Sequence, residues 1–227
     1  PDPYDVPPRV ITPSREPGED ACALWEWWVD LNDLTGAATE RERLVETGSL
    51  VRAYANHAHK LAVMLAIEAT AAGTWGAAIR HGIAAAILAK TIREKAISIL
   101  NLIDPLTMSG ALDTAAWLST VSLEVERGRF HHRPEHAQGS LAAAYWNHIT
   151  VLISSAWSPN GRAHRQRELE QVVTCMLDEL GHALEQPGSI ITQCILSCGN
   201  PAFLSLRDSA GWQDVEARTT QALASLA

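Results

Sequence analysis

The densest group of chemically capable side chains in this chain is the run RGRFHHRPEH, residues 127–136. It holds three arginines, three histidines and one glutamate. Histidine and glutamate can bind zinc, whereas the planar guanidinium group of arginine can donate two parallel hydrogen bonds to a phosphate. The run therefore raises two hypotheses, a metal site and a contact for an anionic partner, beside the alternative of an ordinary solvated loop.

A zinc site in this run is disfavoured by its spacing and its charge. Catalytic zinc needs three fixed protein ligands, and the H-E-x-x-H motif supplies two of them from one face of a helix. The segment from His132 to His136 has similar residue types in a different order, and Pro134 opposes the helix that would align them. The neighbouring arginines would also repel a dication. We expect no metal site here.

Other enzyme motifs give little support for catalysis. His57 and His59 are two residues apart, a spacing that does not share a helix face. Glu179-x-x-His182 occurs once, whereas di-iron bundles need two such motifs on facing helices. The sequence has no nucleophile elbow, phosphate-binding loop or dinucleotide-binding fingerprint. We favour a protein that is not an enzyme and expect no cofactor.

The arginines favour contact with phosphate. Three lie in the run, and three more follow the turn at 158–161, so two basic groups flank one predicted helix. This helix would be roughly 28 Å long, so the two groups meet only if neighbouring subunits bring them together. The predicted nucleic-acid or phosphate contacts are Arg127, Arg129, His131, His132, Arg133, Arg162, Arg165 and Arg167.

Composition limits the class of protein. The chain has 227 residues and a formal net charge of −8, which excludes a generally basic surface that coats nucleic acid but allows a local basic groove. The four cysteines form no C-x-x-C pair, so we expect buried thiols in a reducing compartment. The first residues do not resemble a signal peptide, and no apolar stretch is long enough to cross a bilayer. We expect a soluble, intracellular protein without membrane contact.

Helices must position the candidate residues, because almost no stretch has strand character. Apolar residues recur at helical spacing, which predicts an all-α bundle of about seven to nine helices. A capping box at Thr39 is predicted to begin a long helix that Gly48 bends or splits. A second apolar helix is predicted from about residue 77 to 103, where Asp104-Pro105 ends it.

The run 127–136 itself is predicted to be a loop, because Gly128 and Pro134 both oppose a helix. The preceding helix is predicted to begin near Ser109 and to end near Glu126. The next helix is predicted from about residue 139 to 157. A later helix, from 162 to 185, has a regular apolar stripe.

The first seventeen residues, PDPYDVPPRVITPSREP, contain six of the eleven prolines and predict an extended arm. We predict this arm at residues 1–18 and a helical domain at 19–227, with a subdivision allowed near 104–110. Such an arm can lap onto a neighbouring subunit, and the last helix can dock in the same way. The predicted subunit contacts are Pro3, Tyr4, Val6, Val10, Ile11 and Trp212.

These features predict a structural, self-assembling subunit. The concrete form is a coat or nucleocapsid-type protein of a virion, forming a helical or shell-like homo-oligomer around nucleic acid. Its predicted partners are copies of itself and, through the arginine cluster, nucleic acid. The alternatives are a soluble helical binding or regulatory protein that recognises a partner through its arm, and a helical enzyme with a buried polar site.

Overall fold

The computed structural model describes residues 17–31, 33–156 and 162–180. Within these ranges every regular element is a helix, which confirms the predicted all-α class. The predicted arm falls outside these ranges except for its last two residues, which begin the first helix. The described helices are α1 (Pro17–Asp30), α2 (Leu34–Glu46), α3 (Ser49–Tyr54), α4 (Ala58–Ala71), α5 (Trp75–Leu88), α6 (Ile92–Met108), α7 (Leu112–His132), α8 (Pro134–Ala156) and α9 (Arg162–Leu180).

The chain divides into two compact units, residues 1–109 and residues 110–227. Unit 1 contains α1 to α6, and unit 2 contains α7 to α9. The boundary falls at Gly110, whose φ of +84° is a backbone conformation that glycine adopts more readily than other residues.

Unit 1 is built around the aromatic side chains of α1 and α3. Trp25 is fully buried, and its ring meets that of Tyr54 edge to face, with the two centroids 5.8 Å apart. Leu44 of α2 and Met64 of α4 also belong to this cluster. A second cluster lies where α4 meets α5, around Val63 and Ala85. Burial of these apolar side chains is the main stabilising contribution in unit 1.

Unit 2 is a pair of helical hairpins that share α8. Ser140 of α8 faces Glu126 of α7, and His148 faces Ser119, so α8 runs antiparallel to α7. The third helix, α9, packs on α8. Its apolar stripe consists of Leu169, Val173, Met176 and Leu180, which are all buried. The sequence predicted a stripe of these four residues and Leu184, which lies outside the described ranges.

The loop prediction for residues 127–136 is wrong. Helix α7 continues to His132, α8 begins at Pro134, and only Arg133 separates them. Pro134 is tolerated because the first turn of a helix does not need its N–H and the proline φ suits a helix start. Gly128 is exposed within α7, where its lower helix propensity is outweighed by the packing of the flanking turns.

The predicted helix end at Asp104-Pro105 is also wrong, because α6 continues to Met108 with Pro105 inside it. A proline there removes one hydrogen bond, to the carbonyl of Asn101. Leu102, Ile103 and Pro105 are buried in unit 1. Their packing holds the last turn in place despite the missing bond.

Several other predicted boundaries are corrected by the actual caps. The helix predicted to begin at Thr39 begins earlier, where Asp33 accepts a hydrogen bond from the Gly36 amide and caps α2. Gly48, with φ of +66°, splits the predicted long helix. The helix predicted from 77 to 103 is two helices, and a capping box formed by Thr91 and Glu94 begins the second.

Within the described ranges, no helix combines the length and the apolar character needed to cross a lipid bilayer.

Candidate functional site

The basic helix junction, residues 127–134, is the site that the sequence singled out. It consists of the last turns of α7, the linking residue Arg133 and the start of α8. Phe130 is buried beneath it, whereas His131, His132 and Arg133 are exposed. The junction therefore presents its cations from a rigid helix end instead of a loop.

Arg127 is held by a carboxylate near the C-terminal end of α9. Its Nε and Nη2 atoms donate to Oε1 of Glu179, at 2.9 and 2.6 Å. The hydroxyl of Tyr145 donates to the other oxygen of Glu179 at 2.6 Å. Glu179 thus connects α7, α8 and α9, and its charge balances that of Arg127.

The surroundings of Glu179 shift the titration of both its partners. Burial, reinforced by the hydrogen bond to Glu179, raises the pKa of Tyr145 well above its usual range. The hydrogen bond to the same carboxylate raises the pKa of Arg127. The exposed ring of His131 lies 3.7 Å from Glu179 through its Nε2 atom. Arg127 and the imidazole ring of His131 therefore face the same carboxylate.

Arg129 is paired with a buried carboxylate, that of Glu126, which is only 1% exposed. One Nη1 atom of Arg129 donates to both oxygens of Glu126, at 2.7 and 2.6 Å. The hydroxyl of Ser140 also donates to Glu126, at 2.7 Å. A buried carboxylate needs such partners, so Arg129 has a structural task between α7 and α8.

The structure gathers only some of the predicted contact residues. Arg127, Arg129, His131, His132 and Arg133 lie at one end of unit 2. Arg167 lies twelve residues before Glu179 on α9, which is roughly 18 Å along the helix axis from the junction. The side chains of Arg162 and Arg165 lie outside the described part. So do the predicted subunit contacts Pro3, Tyr4, Val6, Val10, Ile11 and Trp212.

Sequence reasoning missed both carboxylates of the junction. Glu126 stands three residues before Arg129, an i,i+3 spacing that was visible as a helix pair once α7 was known to continue. Glu179 is 52 residues from Arg127, and no local pattern connects them.

A second polar cluster, which the sequence did not predict, joins α4 to α6. Nε2 of His59 lies 3.0 Å from the Ser98 hydroxyl and 3.2 Å from the Glu94 carbonyl oxygen. Nδ1 of His59 faces the Glu94 carboxylate at 3.9 Å. The carbonyl oxygen only accepts, and the Ser98 hydroxyl donates to that same oxygen at 2.8 Å, so Nε2 of His59 is the donor.

The order Ser98, His59, Glu94 resembles the order of contacts in a hydrolytic triad, but the Nε2 atom of a triad histidine accepts the serine proton, whereas Nε2 of His59 is a donor. Ser98 is also 0% exposed, and its hydroxyl proton is committed to the backbone of its own helix. A nucleophile must reach its substrate. The cluster therefore acts as a polar contact that fixes α4 against α6.

Among the side chains that the structure describes, no group of three or more histidine, cysteine, aspartate or glutamate residues could hold a metal ion. The side chains of Glu135 and His136 are not among them.

Unit 1 exposes two apolar surfaces of opposite charge. The first, the α1 face, consists of Leu24, Trp27 and Leu31, which follow one another at helical spacing. Trp27 is 46% exposed, although the opposite side of α1 is buried in the core. Helix α1 contains four acidic residues and no lysine or arginine, and one of the four, Glu26, is buried and paired with Lys60. Apolar side chains on two opposite faces are typical of a helix that packs against other helices or another subunit on both faces.

The second surface, the α5–α6 corner, consists of Ile83, Ile87, Leu88 and Ile92, with Ile87 77% exposed. Its neighbours in the chain are basic: Arg80, Lys90, Arg93 and Lys95. The single acid among them, Glu94, caps α6 and faces His59. The corner therefore combines apolar side chains with net positive charge.

Comparison with protein-family profiles, with curated proteins and with solved structures finds no significant match to this chain.

Proposed function

We propose that the protein is a structural subunit that assembles head to tail with copies of itself. One observation carries the proposal: the α1 face is apolar and acidic, whereas the α5–α6 corner is apolar and basic. The two surfaces are complementary, because both are apolar and the charges around one are opposite in sign to those around the other. The α1 face of one copy would cover the corner of the next.

A contact between two different surfaces repeats from copy to copy. If the rotation between copies closes, such a contact produces a ring, and if it does not, it produces a helical filament. Both outcomes agree with a coat or nucleocapsid-type subunit. In that role, the exposed cations of the basic helix junction would meet the phosphates of the enclosed nucleic acid.

Two variants test the head-to-tail contact. Trp27→Gln combined with Leu31→Gln disables the α1 face, and Ile83→Gln combined with Ile87→Gln disables the corner. We expect the parent protein to form larger species with rising concentration in sedimentation velocity, and each variant alone to remain a monomer. An equimolar mixture of the two should form dimers and nothing larger, because only one functional contact remains between them.

Val51→Gln is the matched control, because Val51 is an exposed residue of unit 1 outside both surfaces. It should assemble like the parent. A parent protein that stays monomeric at the highest soluble concentration contradicts the proposal. Variants that fail to complement each other in the mixture contradict the head-to-tail arrangement, since contacts between two identical surfaces could not be restored by mixing.

A soluble helical binding protein is the second candidate function. An open groove on unit 1, with a volume of about 580 Å³, favours it. Electron microscopy of the purified chain separates the two candidates, because only the structural subunit forms filaments, rings or shells.

A further inference from the structure

The groove on unit 1 has an apolar floor and a charged wall. Helices α2, α4 and α5 line it, and its apolar side chains include Leu34, Ala38, Leu65 and Ala69. The small alanine side chains leave room above the backbone of α2 and α4. A volume of about 580 Å³ lies within the range of sites that hold small organic molecules.

Arg41 stands in the wall of this groove in a fixed orientation. Its Nε atom donates to Oε2 of Glu68 at 2.6 Å, and Glu68 in turn accepts a hydrogen bond of 3.0 Å from Nε1 of the buried Trp25. The carboxylate is thus anchored in the core of unit 1 and holds the guanidinium group by one edge. Less side-chain freedom is then lost when a ligand binds.

The other edge of the same guanidinium group is unoccupied. Among the described residues, Nη1 and Nη2 of Arg41 have no hydrogen-bond partner, and the side chain is partly exposed. These two nitrogens form a planar fork, which matches the two oxygens of a carboxylate. His81 also lines the groove and can add a donor.

The charge balance of the groove disfavours a ligand with two negative charges. Glu42 and Glu68 line it together with Arg41, so the wall carries two carboxylates and one guanidinium group. A phosphate monoester would bring close to two negative charges to this wall, whereas a carboxylate brings one.

From this geometry we infer that the groove binds a small organic acid, with its carboxylate on the Nη1 and Nη2 atoms of Arg41 and its apolar body on the alanine and leucine floor. The inference is independent of the proposed assembly, because the groove includes no residue of the α1 face or of the α5–α6 corner.

The test is a titration of the full chain with octanoate and, separately, with 3-phenylpropanoate. Binding is measured by isothermal titration calorimetry and by the NMR shift of the Trp25 indole N–H resonance. The amides of the two acids and phenyl phosphate serve as comparison probes. We expect at least one acid to bind and to shift the Trp25 resonance. The matching amide should bind about tenfold more weakly or worse, because it lacks the charge that strengthens the paired hydrogen bonds.

Two variants locate the site. Arg41→Lys keeps the charge and removes the fork, and Ala38→Leu fills the floor and keeps both members of the pair of Arg41 and Glu68. Each should weaken binding of the acid by about tenfold or more. Arg52→Lys, an exposed change outside the groove, should leave the affinity unchanged. Circular dichroism checks that all three variants are folded.

Four results would overturn the inference. They are no binding of either acid, equal binding of an acid and its amide, tighter binding of phenyl phosphate than of both acids, and affinity that survives both Arg41→Lys and Ala38→Leu. Repeating the titration with the variant that disables the α5–α6 corner keeps this test separate from the assembly test, since that variant should bind the acid normally.

Discussion

Single side chains at the basic helix junction have structural tasks as well as exposed charge. Glu126 is buried between α7 and α8, and its carboxylate depends on Arg129 and Ser140 for hydrogen bonds. Removing one partner of a buried ion pair leaves an uncompensated charge. This lowers the free energy of unfolding far more than replacing both partners with apolar side chains does. Arg129 is therefore a poor choice for probing nucleic-acid contact.

Replacing Arg129 with alanine should lower the free energy of unfolding by about 3 kcal/mol, because Glu126 loses its charged partner inside unit 2. The control Arg167→Ala, an exposed arginine of the same unit, should change it by less than about 0.5 kcal/mol. Urea unfolding followed by circular dichroism measures both. Equal stability of the two variants would mean that Glu126 is not held by Arg129.

At the scale of the helices, close approach depends on small residues at particular positions. The stretch 66–89 is rich in alanine and glycine, which lets helices approach closely, and Gly82 of α5 shows where one such contact occurs. A Cβ atom at this position would lie 2.6 Å from Cδ2 and 2.9 Å from Cγ of Leu102 in α6. Gly76, in the first turn of the same helix, has only the end of the Arg80 side chain nearby, at 3.7 Å.

The same substitution should therefore have opposite effects at these two glycines. Gly82→Ala should destabilise unit 1 by about 1 to 3 kcal/mol, because the Cδ2 and Cγ atoms of Leu102 must shift to make room. Gly76→Ala should stabilise it by up to about 1 kcal/mol, through the better helix propensity of alanine. Thermal and urea unfolding distinguish the two signs. A stabilising Gly82→Ala would show that α5 and α6 are not in close contact there.

At the scale of the whole molecule, a net charge of −8 opposes any polyanion, so nucleic-acid binding must depend on a local cluster. At the junction, the charges of Arg127 and Arg129 are balanced by Glu179 and Glu126. Arg133, which links α7 and α8, is exposed. The predicted phosphate contact stays a prediction, and replacing Arg133 tests it while both of these arginine–glutamate pairs are kept.

Arg133→Ala should weaken binding of a single-stranded or double-stranded oligonucleotide and reduce the slope of log K against log salt by about 1, since one phosphate contact is lost. Fluorescence anisotropy over a series of salt concentrations measures that slope. Arg52→Ala, in unit 1, is the control and should leave the slope unchanged. An unchanged slope for Arg133→Ala would remove this residue from the contact.

Local patterns in the sequence were sufficient to predict the helical class, an interruption at Gly48 and the apolar stripe of α9. Each follows from interactions within a few residues: periodic apolar side chains, a left-handed glycine, and the spacing of one helix face. Such signals do not depend on which helices later become neighbours.

The tertiary structure decided the features on which the candidate sites rest. Pro134 and Pro105 have the same local chemistry, yet one begins a helix and the other lies inside one, because packing determines whether a missing hydrogen bond is tolerated. Arg127 meets Glu179 across 52 residues, and Arg41 meets Glu68 across 27. The packing of the helices therefore determines that Arg127 is neutralised by Glu179 and that, within the described part of the chain, Arg41 keeps one edge of its guanidinium group unoccupied. Neither result can be read from local sequence spacing.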